Sequence, residues 1–276
     1  MALYDGSIVF LTDGTPASLS GLPDVARLAD SLACRFAVLH LLDRQVGRAD
    51  DQRITAALSG LPGEPPGVLT VLEENLHPAL ASLASATGGM LVLLPTRRGA
   101  LSRLLAGNDY ERLLREGPLP VLALPAAGRL KPVARVLFPA DLSPRSLACF
   151  DDTVALCKAL GAELHVLHVY GDDGLLADEQ DVARRAAAKS PGELIAIDRE
   201  RLSELSSRAA ERNMPAQVAT AEGRAHDAIL GYAAANAIDL IVMASHGPRT
   251  VEDIFRGSTT VRVIQRAALP VLALRA

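Results

Sequence analysis

The feature that most constrains this chain is that it is written twice. The stretches "SIVFLTDGTPAS" (7–18) and "RVLFPADLSPRS" (135–146) each carry an apolar run, then Asp, then Pro and Ser at matching distances. An offset of 128 lays Phe10 on Phe138, Asp13 on Asp141, Pro16 on Pro144 and Ser18 on Ser146, and it places His40 over His168. Towards the ends of the halves an offset of 150 takes over, where "LPVLAL" (119–124) recurs unchanged at 269–274 and Gly107 falls on Gly257. The difference of 22 residues is an insertion in the second half, after Val169. Two homologous domains follow, residues 1–126 and 132–276, with the Pro/Gly-bounded polar break "PAAGRLKP" (125–132) as linker.

Each half alternates short apolar runs with amphipathic stretches. In the second half "RVLFPA", "AELHVLHVY", "AQVATAEG", "DLIVMAS" and "LPVLALR" read as strands. Between them "SPRSLACFDDTVALCKALG" reads as a helix from near Ser143 to Gly161, and "DRERLSELSSRAAERN", "AHDAILGYAAANA" and "STTVRVIQRA" read as further helices. Apolar runs without clean alternation imply strands covered on both faces, hence a mostly parallel sheet with helices on either side. Both halves are expected to be doubly wound α/β domains.

Composition narrows the function. The net charge is −4 and no basic run occurs, so the footprint of a nucleic-acid binder is missing. Aromatics are 3% with no Trp, which argues against base stacking on single strands and leaves the cores to Leu, Val, Ile and Ala. Cys34, Cys149 and Cys157 form no CxxC pair, a pattern that suits a reducing cytoplasm. No basic leader precedes the first strand and no apolar run nears the ~20 residues of a membrane span, so a cytoplasmic protein is expected.

The segment "MASHGPRTVEDIFRGSTT" (243–260) carries the chemistry. Gly247 and Gly257 let main-chain N–H groups approach a bulky anion with no Cβ in the way. Ser258 adds a hydroxyl at a helix start, where unsatisfied N–H groups and about half a positive charge favour phosphate. Each residue also has a plainer reading: Ser258 as a helix N-cap, the glycines as turn residues, Asp141 as a cap for the following helix. His246 reads as a loop residue, and His165 and His168, three apart on a strand, face opposite sides and form no metal pair.

Strand one ending in Asp, strand four running into Met-Ala-Ser-His-Gly, and Gly-Ser ahead of a last helix and "PVLAL" together resemble the universal stress proteins, here as a tandem member. The resemblance implies five parallel strands per domain in the order 3-2-1-4-5, with helices on both faces. It also implies ATP or another adenine nucleotide at the carboxyl ends of the strands, and dimer contacts through the last strand. Of the family's glycine signature the second half offers Gly247, Gly257 and Ser258, with Ala244 in place of the first glycine. With that strand order the switch point, where open parallel sheets take ligands, lies between the ends of strands one and four. Pro139, Ala140, Val169 and Met243 are then expected to wall the base, and Asp141 to accept a hydrogen bond from adenine or ribose. Ala244, His246, Gly247, Gly257, Ser258 and Thr259 would line the phosphates, with Mg²⁺ carried in by them. Arg249 and Arg256 flank the loop as weaker candidates.

The aligned first-half segment, "LLPTRRGALSRLLAGNDY" (93–110), works against such a cradle. Leu94 replaces Ala244, Arg97 replaces Gly247, Asn108 and Asp109 replace Ser258 and Thr259, and Pro95 has no N–H to donate. The first half is therefore expected to bind no ATP in the family manner. No nucleophile–base pair or carboxylate dyad stands beside the second-half site, so the expected role is a nucleotide-binding stress-response regulator with at most slow hydrolysis. The alternatives are an interaction protein that binds no nucleotide or another small ligand and, ranked last, an adenylating enzyme, whose glycine/serine-rich loop after strand one is replaced here by "FPADLSPRS". An apolar last strand is a liability as an open edge. Pairing the two halves as a pseudo-dimer within one chain would cover it, and a homodimer of two chains stays open as well.

Overall fold

A computed structural model describes residues 6–42, 49–87, 89–94, 113, 117–125, 130–170, 191–245 and 259–275. The chain divides into two units. The first holds residues up to Pro132 together with Ala268–Ala273, and the second holds Val133–Ala267 with Leu274–Ala276.

In the first unit the strands are β1 (Ser7–Thr12), β2 (Arg35–Leu42), β3 (Gly67–Leu72), β4 (Gly89–Leu93) and β5 (Val121–Ala123), and their order is 3-2-1-4-5. All are parallel, with ladders β1–β2, β1–β4, β2–β3 and β4–β5. The helices are α1 (Pro16–Leu19), α2 (Leu22–Ser31), α3 (Ala49–Ser59) and α4 (Leu76–Thr87). Next to β5 lies β10 (Val271–Arg275), antiparallel, with Val271, Leu272 and Ala273 opposite Ala123, Leu122 and Val121.

The second unit repeats the plan with β6 (Arg135–Pro139), β7 (Glu163–Tyr170), β8 (Ala216–Glu222) and β9 (Leu240–Ser245), in the order 9-6-7-8. Its helices are α5 (Pro144–Leu160), α6 (Pro191–Glu211), α7 (Ala225–Ala235) and α8 (Thr259–Arg266). The sequence dictates their limits. Ser143 caps α5 by accepting from the Ser146 N–H, Pro144 takes the first turn where no N–H is needed, and Gly161 ends the helix at φ 64°. On α6 the buried stripe runs Asp198, Leu202, Leu205, Ala209, a spacing of one face of a helix.

Central strands match the expectation of cover on both faces: β1 is buried throughout, and β4, β6 and β7 nearly so. The outermost strands differ. Val68 and Leu69 on β3 and Val218 on β8 are exposed, because a strand at the margin has one flank and part of a face without a neighbour. Helix α6 also begins at Pro191, seven residues before the amphipathic stretch read from sequence. Around β6 the core is closed by Phe138 and Phe150, with ring centroids 5.5 Å apart edge to face.

Candidate functional site

Strand β6 pairs with β7 on one side and β9 on the other, so it is where the strand order reverses. Its ladder with β7 runs from Arg135 to Pro139. On the β9 side the described pairs are Val136 with Leu240 and Leu137 with Ile241. The matching ladder of the first unit, β1 with β4, continues further, through Phe10–Val92 and Leu11–Leu93. Pro139 stands where the first unit has Leu11, and proline has no N–H to give a ladder. The described ladder between β6 and β9 therefore stops two pairs earlier than its first-unit counterpart.

The chain past β6 is held by contacts to β7, to α6 and within its own turn. The Ala140 N–H donates to Leu167 O at 2.8 Å. The buried Ala140 carbonyl accepts from His168 Nδ1 at 2.7 Å. Asp141 Oδ1 accepts from the Ser143 N–H at 2.9 Å. Between Asp141 and Ser143, Leu142 lies in the left-handed region at φ 61° with its side chain buried, and its carbonyl accepts from Arg201 Nη1 of α6 at 3.3 Å. Asp141 itself is exposed.

On the neighbouring strand, Met243 is buried and Ala244 half-buried at the end of β9. Thr260 Oγ1 donates to the Ala244 carbonyl at 3.3 Å, which brings the first turn of α8, with Thr259, against the end of that strand. Val169 is half-buried on β7, two residues beyond the Pro139–Leu167 pair. Pro139, Ala140, Asp141 and Val169 thus stand at the ends of β6 and β7, and Met243, Ala244 and Thr259 at the end of β9 and the start of α8. His246, Gly247, Gly257, Ser258, Arg249 and Arg256 lie outside the described residues, as do Pro95, Arg97, Gly107, Asn108 and Asp109 of the first-half segment.

The first unit keeps the frame and changes the chemistry. Asp13 is buried, and its Oδ1 accepts from both the Thr15 N–H (3.2 Å) and the Thr15 hydroxyl (2.7 Å). Gly14 replaces Leu142 at φ 71°, and its carbonyl accepts from Arg53 Nε at 3.0 Å, the counterpart of the Arg201 contact. His40, the copy of His168, is buried with neither ring nitrogen in a hydrogen bond, and its Nδ1 faces Asp51 Oδ1 at 3.5 Å. Burial lowers its pKa, against the opposing pull of Asp51 and Asp13. Leu94, standing for Ala244, is buried.

Sequence reading passed over His168, Asp198, Arg201 and Leu142. His40 and His168 share the offset of the duplication, and Asp198 occupies an apolar position of the α6 stripe; both were signals of a shared internal contact. The pair of strand histidines does face apart: His165 Nδ1 meets the Tyr232 hydroxyl of α7 at 3.0 Å, while His168 Nε2 faces Asp198 of α6 at 3.5 Å.

A model of the universal stress protein family matches residues 132–275. The chain belongs to the universal stress protein family. A curated relative, a universal stress protein of Synechocystis, is 26% identical over 199 residues, which is 71% of this chain and 62% of the relative, short of two thirds of its length. A solved universal stress protein of Archaeoglobus fulgidus covers 99% of this chain and 97% of its own, with TM-score 0.64 and 16% identity. One from Pseudomonas aeruginosa covers 99% and 94%, with TM-score 0.66 and 18% identity. Both likenesses speak for the fold, an α/β layering around a large, mostly parallel sheet. Among the described residues no helix is long and apolar enough to cross a membrane.

Proposed function

We propose that this universal stress protein is a tandem member whose second unit binds ATP or another adenine nucleotide at the carboxyl ends of β6 and β9. The reading rests above all on one contrast within the chain. The copy of strand one that ends Pro139–Ala140–Asp141 presents an exposed carboxylate beside a ladder that stops early, whereas the copy ending at Asp13 has the longer ladder and a buried carboxylate. Pro139, Ala140, Val169 and Met243 form the apolar walls for the base, and Asp141 accepts from adenine or ribose. Ala244, His246, Gly247 and Gly257 bring main chain to the phosphates, with Ser258 and Thr259 at the start of α8. Each charge-assisted hydrogen bond of that kind contributes about 1.5–3 kcal/mol, so several suffice without a lysine. Mg²⁺ enters with the phosphates, since it keeps much of its water shell and needs few protein ligands. The role is regulatory: Asp141 recognises the ligand and positions no attacking water, so hydrolysis is at most slow. The first unit is the degenerate copy.

The test is nucleotide chromatography of the denatured, purified protein, followed by calorimetric titration with ATP. Asp141→Ala is expected to weaken ATP about tenfold, the loss of roughly one hydrogen bond to a charged group, and Gly247→Val to abolish binding. Asp13→Ala is expected to leave affinity unchanged. Absence of any adenine nucleotide and no heat on ATP addition would refute the reading and favour a protein that acts through interaction or through another small ligand.

A further inference from the structure

We propose that His168 is a positioning residue of the second unit: a two-sided clamp that holds the Ala140–Asp141–Leu142 turn against helix α6. The ring lies buried between the two elements. A carbonyl can only accept, so the 2.7 Å contact to Ala140 O requires the proton on His168 Nδ1. The opposite nitrogen, Nε2, faces the buried Asp198 Oδ2 of α6 at 3.5 Å. The Tyr170 ring packs edge to face on the imidazole at 4.7 Å and leaves it little room to turn. One helical turn on from Asp198, Arg201 reaches the Leu142 carbonyl. Helix α6 therefore reaches the turn twice, on either side of Asp141: directly through Arg201, and through His168, whose Nε2 bonds the Asp198 carboxylate only when it too carries a proton.

The duplication shows which of the two grips is general. The arginine contact recurs in the first unit as Arg53 to Gly14 O. The histidine latch does not: His40 is in the matching place, yet its ring bonds to no carbonyl. The latch thus belongs to the copy whose aspartate is exposed, beside a leucine forced into left-handed backbone, and not to the copy whose aspartate is held by its own threonine hydroxyl. A buried carbonyl deprived of its donor is costly, so the turn is expected to loosen without the latch. That this turn serves a nucleotide rests on the function proposed above; that His168 holds it does not.

Two side-chain amides separate the two sides of the clamp. In His168→Asn the amide NH₂ takes the place of Nδ1 and can keep the bond to Ala140 O. In His168→Gln the NH₂ reaches the place of Nε2, towards Asp198, and leaves the carbonyl bare. Hydrogen–deuterium exchange of the intact chain is read at the Ala140 and Ser143 amides, with β1 of the first unit as internal reference. The expected result is near wild-type protection in His168→Asn and at least tenfold faster exchange in His168→Gln, with β1 unchanged in both. A role in packing alone would favour neither amide, so equal exchange in the two variants overturns the clamp. Calorimetric titration of the same proteins with ATP is expected to show wild-type affinity retained by Asn within about threefold and weakened about tenfold by Gln. If wild type takes no ATP, the nucleotide reading fails while the exchange result still decides the clamp; if ATP binds equally to both variants, the turn is not part of the ligand site.

Discussion

Leu142 offers the sharpest test of how the turn beside Asp141 is made. Its side chain is 1% exposed while its backbone sits at φ 61°, so packing and conformation pull in opposite directions. Truncation to alanine removes a buried leucine at a cost of about 2–5 kcal/mol and keeps a Cβ in the left-handed region. Truncation to glycine removes slightly more side chain but relieves the strain, which for an L-residue there is about 1–2 kcal/mol. Glycine is therefore expected to be the milder change, by about 1 kcal/mol, where it is ordinarily the harsher one. Leu156, buried to 2% in the ordinary helical backbone of α5, supplies the control. There Gly should be worse than Ala by about 1 kcal/mol. The assay is equilibrium urea unfolding of the four variants, followed by far-UV circular dichroism, comparing midpoints at unchanged slope. If Leu142→Gly unfolds at lower urea than Leu142→Ala, the left-handed backbone is not a feature of the folded turn, and the argument that the second unit accepts strain beside Asp141 collapses.

Three further outcomes are expected. Gly89→Ala should lower stability by more than about 3 kcal/mol, since φ is 98° and an added Cβ would lie 2.0 Å from the Ser7 carbonyl oxygen; a thermal scan within about 2 °C of wild type would contradict this. Burial pushes the thiols of Cys149 and Cys157 up to about 12, so at neutral pH iodoacetamide should modify the half-buried Cys34 at least tenfold faster, read by peptide mass spectrometry, with the difference vanishing in denaturant. The Asp151 carboxyl is lowered, first by its hydrogen bond to Arg212 and then by the charges of Arg208 and Arg212, against desolvation. A depressed carboxylate stabilises the fold above its ordinary pKa and loses that contribution as pH falls through the lowered value. Asp151→Asn should thus be slightly less stable than wild type at neutral pH, and the gap, measured by urea midpoints, should close in acid and shrink in high salt because the pair is largely exposed.

What the sequence made legible was whatever the duplication stated twice. The strands, the helix from Ser143 to Gly161 and the turn after strand one follow from apolar runs, capping residues and the fixed offset, while the strand order comes only with the family resemblance. The exposure of β3 and β8 did not follow, because which strands end up outermost is decided by the order of pairing and not by their own apolar residues. The site was half legible for a related reason. Asp13 and Asp141 are the same residue at the same place in the repeat, and only the fold separates them: Asp13 is buried and accepts from both the N–H and the hydroxyl of Thr15, whereas Asp141 accepts from the Ser143 N–H and is exposed. His40 and His168 repeat the lesson, identical in sequence, yet only one is bonded to the strand-one carbonyl. Two of the substitutions that divide the copies, Leu11 against Pro139 and Gly14 against Leu142, lie on either side of the repeated aspartate. The shortened ladder, the strained leucine and the latched histidine meet at a single turn of the second unit, and it is at this turn, not at its first-unit copy, that the proposed ligand site is to be tested.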